Sequence, residues 1–129
     1  MNIALIAQDH RKELMAEFCI AYSGILGQHK LYATGTTGAI VRDAAGLNVE
    51  RFAPGLLGFQ QIIAKAAYNE LDMVLFFRDG TLGPDHSKDT EQLFRTCDSN
   101  LIPYATSIAT AELLIKGLER GDLDWRLLV

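Results

Sequence analysis

The chain has 129 residues, of which 49% are hydrophobic and 22% are charged, so its length and composition predict one soluble globular domain over residues 1–129. Its 12 basic and 16 acidic side chains give a net charge of −4, and it has no basic run, which argues against a nucleic acid or a membrane surface as partner. The amino terminus MNIALIAQDH lacks the pattern of a secretion signal, and its apolar run is too short to span a bilayer. Cys19 and Cys97 lie far apart in apolar helical contexts, which predicts buried free thiols and a cytoplasmic location.

Apolar runs rich in strand-forming residues alternate with segments of helical spacing along the chain. The predicted strands cover residues 3–7, 30–33, 47–53, 73–77 and 103–107. The predicted helices cover residues 13–25, 39–45, 59–69, 88–99 and 108–120, with a TGTTG loop between the second strand and the second helix. This alternation predicts an α/β fold of three layers, with a central, mostly parallel sheet and helices on both of its faces.

Polar side chains follow four of the predicted strands. In parallel sheets ligands bind beyond the carboxyl ends of the strands, so these side chains are expected to converge on one crevice. They are Gln8, Asp9 and Lys12 after the first strand, residues 34–37 after the second, Arg78 and Asp79 after the fourth, and Ser107 after the fifth.

The TGTTG loop has the composition of an oxyanion site. Gly35 and Gly38 allow the backbone to present N–H groups, the three threonines add hydroxyls, and the following helix contributes the positive end of its dipole. Lys12 would bring a mobile positive charge to a bound phosphate. The alternative is that the loop is only a capped turn between strand and helix, and that Lys12 is a solvated surface lysine.

His86 lies in the turn-rich segment RDGTLGPDHSKD, together with Asp79, Asp85 and Asp89. A histidine beside carboxylates can act as a general acid toward a carbonyl oxygen or can stabilise an enolate as it forms. The alternative is a loop histidine that is hydrogen-bonded for structural reasons. Similarly, Arg78 and Asp79 either face the crevice or form a structural salt bridge.

In combination, these motifs resemble the methylglyoxal synthase family. The resemblance rests on IALIAQDH followed by a lysine, LYATGTTG, LDMVLFFRD, PDHSKD, LIPYATSIATAE and GLERGDLDWR, and it runs over essentially the whole chain. It implies a compact α/β fold, a homohexamer, and conversion of dihydroxyacetone phosphate to methylglyoxal and phosphate through an enediolate, without a metal or organic cofactor. Related domains at the regulatory end of carbamoyl phosphate synthetase bind effectors and do no chemistry.

The resemblance also implies roles for individual positions. It makes His86 the residue that polarises the carbonyl and enediolate oxygens, with Asp79 and Asp89 as further carboxylates of the site. It makes Arg95 and Arg126 inter-subunit arginines. The residues implied to bind substrate and phosphate are Gln8, Asp9, Lys12, Thr34, Gly35, Thr36, Thr37 and Gly55.

The chain departs from the family pattern at Phe59 and Gln8, and also at Gly80 and Asp85, where the family has prolines. The family's proton-abstracting aspartate lies in a GGDQ segment, but this chain reads GLLGFQQ, so Phe59 stands at the position of the base. A phenyl ring accepts no proton, and residues 51–69 contain neither Asp nor Glu. Gln8 replaces a histidine with an amide that hydrogen-bonds but carries no charge.

Three functions are compatible with these residues. The first is an active synthase in which Asp79, Asp85 or Asp89 has become the base. The second is a non-catalytic protein that binds phosphate or a phosphorylated metabolite. The third is a different reaction on a small phosphorylated substrate, with His86 as the acid.

Overall fold

A parallel sheet forms the centre of the computed structural model, which describes residues 1–79 and 87–128. Its strands are β1 (Asn2–Ala7), β2 (Lys30–Ala33), β3 (Val49–Arg51), β4 (Met73–Phe77) and β5 (Tyr104–Ala105). They lie in the order β3-β2-β1-β4-β5, and every pair of neighbours is parallel. The predicted parallel α/β sheet is therefore confirmed.

Helices cover both faces of the sheet, as predicted. They are α1 (Lys12–Ala21), α2 (Ser23–Leu26), α3 (Gly35–Ala45), α4 (Gly55–Ala67), α5 (Ser87–Ser99) and α6 (Ile108–Arg120), with short 3-10 helices at Asp9–Arg11 and Asp124–Leu128. Helices α1, α3 and α6 pack on one face. Helices α4 and α5 pack on the other. No helix within the described ranges is long and apolar enough to cross a membrane.

Each face of the sheet has its own hydrophobic core, because alternate residues of β1 point to opposite sides. Ile3 and Leu5 belong to the core beneath α1, α3 and α6, whereas Ile6 belongs to the core beneath α4 and α5. Cys19 lies in the first core and Cys97 in the second. Both are buried free thiols, as predicted, and burial raises the pKa of each to about 12.

Several element boundaries differ from the predicted ones. Helix α3 begins at Gly35 rather than at Ala39, so the residues predicted as a loop form the first turn of a helix. Gly and Thr have low helix propensity, and for that reason the sequence predicted a loop at these positions. Tertiary contacts override this low propensity and make the segment helical. Helix α4 likewise begins at Gly55 rather than at Phe59. The predicted helix over residues 13–25 is interrupted at Tyr22, and β3 and β5 are shorter than expected.

The strand order positions a crevice at the centre of the sheet. From β1 the chain builds outward through β2 to β3, and α4 then carries it back across the sheet to β4 on the other side of β1. The order of strands thus reverses between β1 and β4. In open parallel sheets, such a reversal leaves room for a ligand beyond the carboxyl ends of the strands.

Candidate functional site

A cavity of about 470 Å³ opens at this reversal point, beyond the carboxyl ends of β1 and β2. It brings together residues that are distant in the sequence, from the ends of these strands and from the first turns of α1, α3 and α4. The residues named from the sequence that line it are Gln8, Asp9, Lys12, Thr34, Thr36, Gly55 and Phe59. Gly35 and Thr37 are buried in the first turn of α3 and are not among the lining residues.

The amino-terminal ends of α3 and α4 both reach this cavity. Thr34 is the N-cap residue of α3 and Pro54 that of α4, and neither makes a side-chain capping hydrogen bond. Thr34 thus occupies the N-cap position, but its hydroxyl donates to the Thr37 hydroxyl at 3.4 Å and not to a backbone group. N–H groups without side-chain caps and the positive ends of two helix dipoles at the cavity favour a bound anion.

Close backbone packing holds the two helix ends side by side. The Gly35 N–H donates to the Ala53 carbonyl at 3.3 Å, and Arg51 Nε donates to the Gly35 carbonyl at 3.0 Å. A Cβ on Gly35 would lie 3.1 Å from the Phe52 carbonyl oxygen and 3.2 Å from the Pro54 nitrogen. Residue 35 must therefore be small for the segment before α4 to approach α3.

Glycine is favoured at position 55 by the backbone conformation and not by close packing. A Cβ at this position would meet nothing within 4 Å, but φ is +68°. This left-handed conformation is costly for residues with a side chain, and it turns the chain from Pro54 directly into α4. The backbone of α4 consequently begins at the edge of the cavity.

Lys12 supplies the positive side chain of the cavity. Its Nζ donates to the Ala7 carbonyl at 2.9 Å and to Asp9 Oδ1 at 3.0 Å. An ammonium group has three donors, so one remains for a ligand. The hydrogen bond from Lys12, with its charge, lowers the pKa of Asp9 below its usual value. Asp9 therefore stays ionised near neutral pH and is a weak proton acceptor.

Gln8 and Asp79 link the ends of the two central strands. The Gln8 backbone N–H donates to the Phe77 carbonyl at 3.0 Å, and the Asp79 backbone N–H donates to Gln8 Oε1 at 2.6 Å. The Asp79 carboxylate is largely buried and lies 4.0 Å from the Arg11 guanidinium. Asp79 thus stands next to a lining residue but is not itself part of the cavity wall.

An aromatic cluster forms the side of the cavity nearest α4 and β4. The ring of Phe59 packs edge-on against that of Phe76, with 5.5 Å between centroids. The ring of Phe76 lies 6.1 Å from that of Phe94, and the guanidinium of Arg78 lies 5.6 Å from the centre of Phe94. Arg78 is therefore packed over aromatic rings.

The remaining residues named from the sequence lie elsewhere. Asp89 is half-buried in the first turn of α5 and does not line the cavity, although its neighbour Thr90 does. Arg95 is exposed on α5 and pairs with Glu91 at 2.6 Å. His86 and Asp85 lie outside the described residues. Among residues 1–79 and 87–128, no three His, Cys, Asp or Glu side chains are grouped as ligands for a metal ion.

Arg126 is at the opposite end of the sheet, before the starts of β4 and β5. Its guanidinium is buried and lies in contact with the chain's own polar groups. The acceptors of its hydrogen bonds are Asp72 Oδ1, Asn69 Oδ1 and the carbonyls of Leu71, Asn100 and Leu101. The structure therefore does not bring Arg126 to the cavity, and its inter-subunit role stays a prediction.

Comparison with known proteins identifies the family. The family model of the MGS-like domain matches residues 15–106. The methylglyoxal synthases of Caldicellulosiruptor saccharolyticus and Alkaliphilus metalliredigens are 58% and 54% identical to this chain, over 100% and 98% of its length and 92% and 95% of theirs. The chain belongs to the methylglyoxal synthase family. A crystal structure of methylglyoxal synthase from Elizabethkingia anophelis NUHP1 is 35% identical, with a TM-score of 0.81 over 88% of this chain and 76% of that one.

Most of the apolar residues of the cavity wall were not predicted from the sequence. The apolar residues Ile6, Ala7, Leu56 and Phe76 line the cavity, as does the polar Thr90, and none of them belongs to a motif that indicates chemistry. One signal was available for Leu56, which lies three residues before Phe59. On a helix that spacing places both side chains on the same face.

Proposed function

We propose that the chain binds inorganic phosphate and dihydroxyacetone phosphate in this cavity. The observation that carries the proposal is that Lys12 and the uncapped amino ends of α3 and α4 converge on one cavity. Helix amino termini and a lysine ammonium are common phosphate partners in proteins. Family membership supports the same reading, since relatives 52–58% identical are named methylglyoxal synthase.

The proposed binding uses each group in a separate role. The backbone N–H groups at the starts of α3 and α4 bind phosphate oxygens, and the Thr34 and Thr36 hydroxyls add further donors. Lys12 neutralises part of the phosphate charge. Its existing bonds to Ala7 and Asp9 hold the ammonium at the cavity, so little side-chain freedom is lost when phosphate binds.

The family reaction is proposed to be slow in this chain. Elimination of phosphate from dihydroxyacetone phosphate begins when a base removes a proton next to the carbonyl, which gives an enediolate. Phe59, at the position of that base, packs on Phe76 and offers no proton acceptor. Loss of a positioned base lowers rates by about 10² to 10⁴-fold, so binding is expected to persist while turnover falls to a trace.

A second candidate is a working synthase that uses another carboxylate. The observation in its favour is the position of Asp79, whose backbone N–H is bonded to the cavity residue Gln8. This candidate requires the Asp79 carboxylate, which does not line the cavity, to move into it. Geometry is demanding, since a displacement of about 1 Å can cost about 10²-fold in rate.

A turnover assay separates the two candidates. Purified protein is incubated with dihydroxyacetone phosphate, methylglyoxal is trapped, and phosphate release is followed in parallel, with His86→Ala as the control variant. Saturable phosphate binding, measured by calorimetry in the same preparation, with product near background is the expected result. Robust formation of both products, lost in the control, would establish the second candidate instead. Absence of phosphate binding would overturn both.

Assembly and location are proposed from the family. A homohexamer with Arg95 and Arg126 at its interfaces is the assembly that the family implies, and light scattering coupled to size-exclusion chromatography tests it. A cytoplasmic location is in keeping with two free, buried thiols. A species other than a hexamer at micromolar concentration would contradict the proposed assembly.

A further inference from the structure

Part of the cavity wall is apolar. Leu56 and Phe59 lie one turn apart on α4, and Phe76 lies at the end of β4. All three line the cavity, with Ile6 and Ala7 from the end of β1 beside them. The cavity lining therefore combines groups suited to phosphate with a surface suited to an apolar group.

The apolar wall is only partly covered by the protein itself. Phe76 is 3% exposed and belongs to the core, whereas Leu56 is 43% exposed and Phe59 is half-buried. The ring of Phe59 contacts that of Phe76 edge-on, and Phe59 is only half-buried and lines the cavity. A ligand that covers this surface would remove it from water, which is favourable roughly in proportion to the apolar area covered.

The size of the cavity agrees with a ligand larger than a triose phosphate. Its volume is about 470 Å³, within the range of roughly 300 to 1,000 Å³ found for sites that enclose drug-sized ligands. A three-carbon phosphate is smaller than the ligands that cavities of this volume enclose. Dihydroxyacetone phosphate carries polar groups on every carbon, so it gains little from an apolar wall.

We propose that the preferred ligand of this cavity is a phosphate monoester whose organic part is a flat, apolar ring. The phosphate lies at Lys12 and at the starts of α3 and α4, as in the function proposed above, on which this inference rests. The ring lies against Phe59 and Leu56. Replacement of the family's aspartate by Phe59 thus changes the selectivity of the site as well as removing its base.

The test compares three probes by calorimetry: inorganic phosphate, methyl phosphate and phenyl phosphate. Methyl and phenyl phosphate present the same phosphate monoester, so the ratio of their dissociation constants isolates the contribution of the ring. We expect phenyl phosphate to bind at least about tenfold more tightly than methyl phosphate, given typical aromatic contact energies. The Phe59→Asn and Leu56→Ser variants are expected to reduce that ratio to about threefold or less.

A neighbouring residue provides the matched control. Leu57 is 61% exposed on the same helix and does not line the cavity, so Leu57→Ser is expected to leave the ratio unchanged. Leu56→Ser removes an exposed side chain and is expected to fold even if Phe59→Asn loses stability. Equal binding of phenyl and methyl phosphate, or a phenyl preference that survives both wall variants, would overturn the inference and leave phosphate binding intact. No binding of any of the three probes would overturn the proposed function itself.

Discussion

The side-chain amide of Gln8 joins the carboxyl ends of β1 and β4, because its Oε1 accepts the backbone N–H of Asp79 at 2.6 Å. A backbone N–H can only donate, so the orientation of the amide is fixed: the oxygen faces Asp79 and the NH₂ group lies on the other side. Gln8 also lines the cavity. The side-chain oxygen of Gln8 is therefore used to connect β1 and β4, while its NH₂ group can donate a hydrogen bond to a ligand.

This division of roles predicts different outcomes for two substitutions. Gln8→Leu removes the acceptor of the Asp79 N–H and is expected to lower the free energy of unfolding by about 1 to 2 kcal/mol. Gln8→Glu keeps an acceptor but places a negative charge in the cavity, so phosphate is expected to bind at least about tenfold more weakly while stability changes by less than about 1 kcal/mol. Urea unfolding and calorimetry measure the two quantities.

A distant glutamine controls for the added charge. Gln28 is exposed near the amino end of β2, and Gln28→Glu should leave phosphate affinity within about twofold, since exposed charges far from the site are screened. Unchanged phosphate affinity in Gln8→Glu would show that Gln8 does not face the ligand.

Restoring a carboxylate at position 59 is expected to raise lyase activity. The double variant Leu57→Gly, Phe59→Asp recreates the GGDQ segment of the family and supplies a base at the cavity wall. The rate of methylglyoxal formation is expected to rise by about 10²-fold or more. Lost packing against Phe76 is expected to reduce stability by about 2 to 4 kcal/mol.

Asparagine at position 59 separates the base from the change in shape. Leu57→Gly, Phe59→Asn has nearly the same size as the aspartate variant but accepts no proton, so it should remain as inactive as the wild type is expected to be. Equal rates in the two double variants would refute the assignment of position 59 to the base. A silent aspartate variant that still binds phosphate would mean that the new base is misplaced or that another departure limits the rate.

Removal of the Arg126 guanidinium is expected to destabilise the fold strongly. Arg126→Met leaves Asp72 without its ion pair and three backbone carbonyls without a donor. We expect a loss of about 3 kcal/mol in the free energy of unfolding, since Asp72 keeps some contact with water. Arg120 pairs with Asp122 in solvent, so Arg120→Met should cost less than about 1 kcal/mol. A subunit-dissociation effect with an unchanged unfolding free energy would favour the inter-subunit role for Arg126.

Gly58 has a packing role that a methyl group would abolish. A Cβ at this position would overlap the carbonyl oxygen of Ala53, a backbone atom with little freedom to move. Gly58→Ala is therefore expected to lower the free energy of unfolding by about 1 to 3 kcal/mol and to weaken phosphate binding, because the segment before Gly55 must shift.

The matched control for Gly58 is another helical glycine. A Cβ on Gly24, in α2, would meet nothing within 4 Å. Gly24→Ala is expected to be neutral or stabilising by up to about 1 kcal/mol, because alanine is the better helix former. Thermal melts and phosphate titrations of both variants check this pair. Comparable stability in the two would contradict the close contact at Gly58.

Strong hydrophobic patterns allowed parts of the fold to be predicted at their observed limits. The run MVLFF and the periodic segment from Ile108 to Arg120 correspond to β4 and α6 as observed. The starts of α3 and α4 were missed, because glycines and threonines have low local helix propensity. Their helical state depends on the approach of residues 52–54 to Gly35, a contact distant along the sequence that no local pattern reports.

Only part of the candidate site was predicted, because local sequence patterns reveal its polar residues but not its apolar ones. Polar residues after strands stood out, and five of those named from the sequence, Gln8, Asp9, Lys12, Thr34 and Thr36, line the cavity. The apolar wall did not stand out, because Leu56 and Phe76 have the character of ordinary core residues. The resemblance implies an inter-subunit role for Arg126, which stays a prediction. In the structure its partners are the Asp72 carboxylate, the Asn69 amide oxygen and three backbone carbonyls of its own chain.

The placement of the two cysteines provides a separate reporter for each half of the molecule. A thiol whose pKa is near 12 is almost entirely protonated at neutral pH and therefore reacts very slowly with alkylating reagents. Cys19 is buried on one face of the sheet and Cys97 on the other. The rates at which iodoacetamide modifies each cysteine, resolved by peptide mass spectrometry, therefore show whether the two layers open together or one before the other.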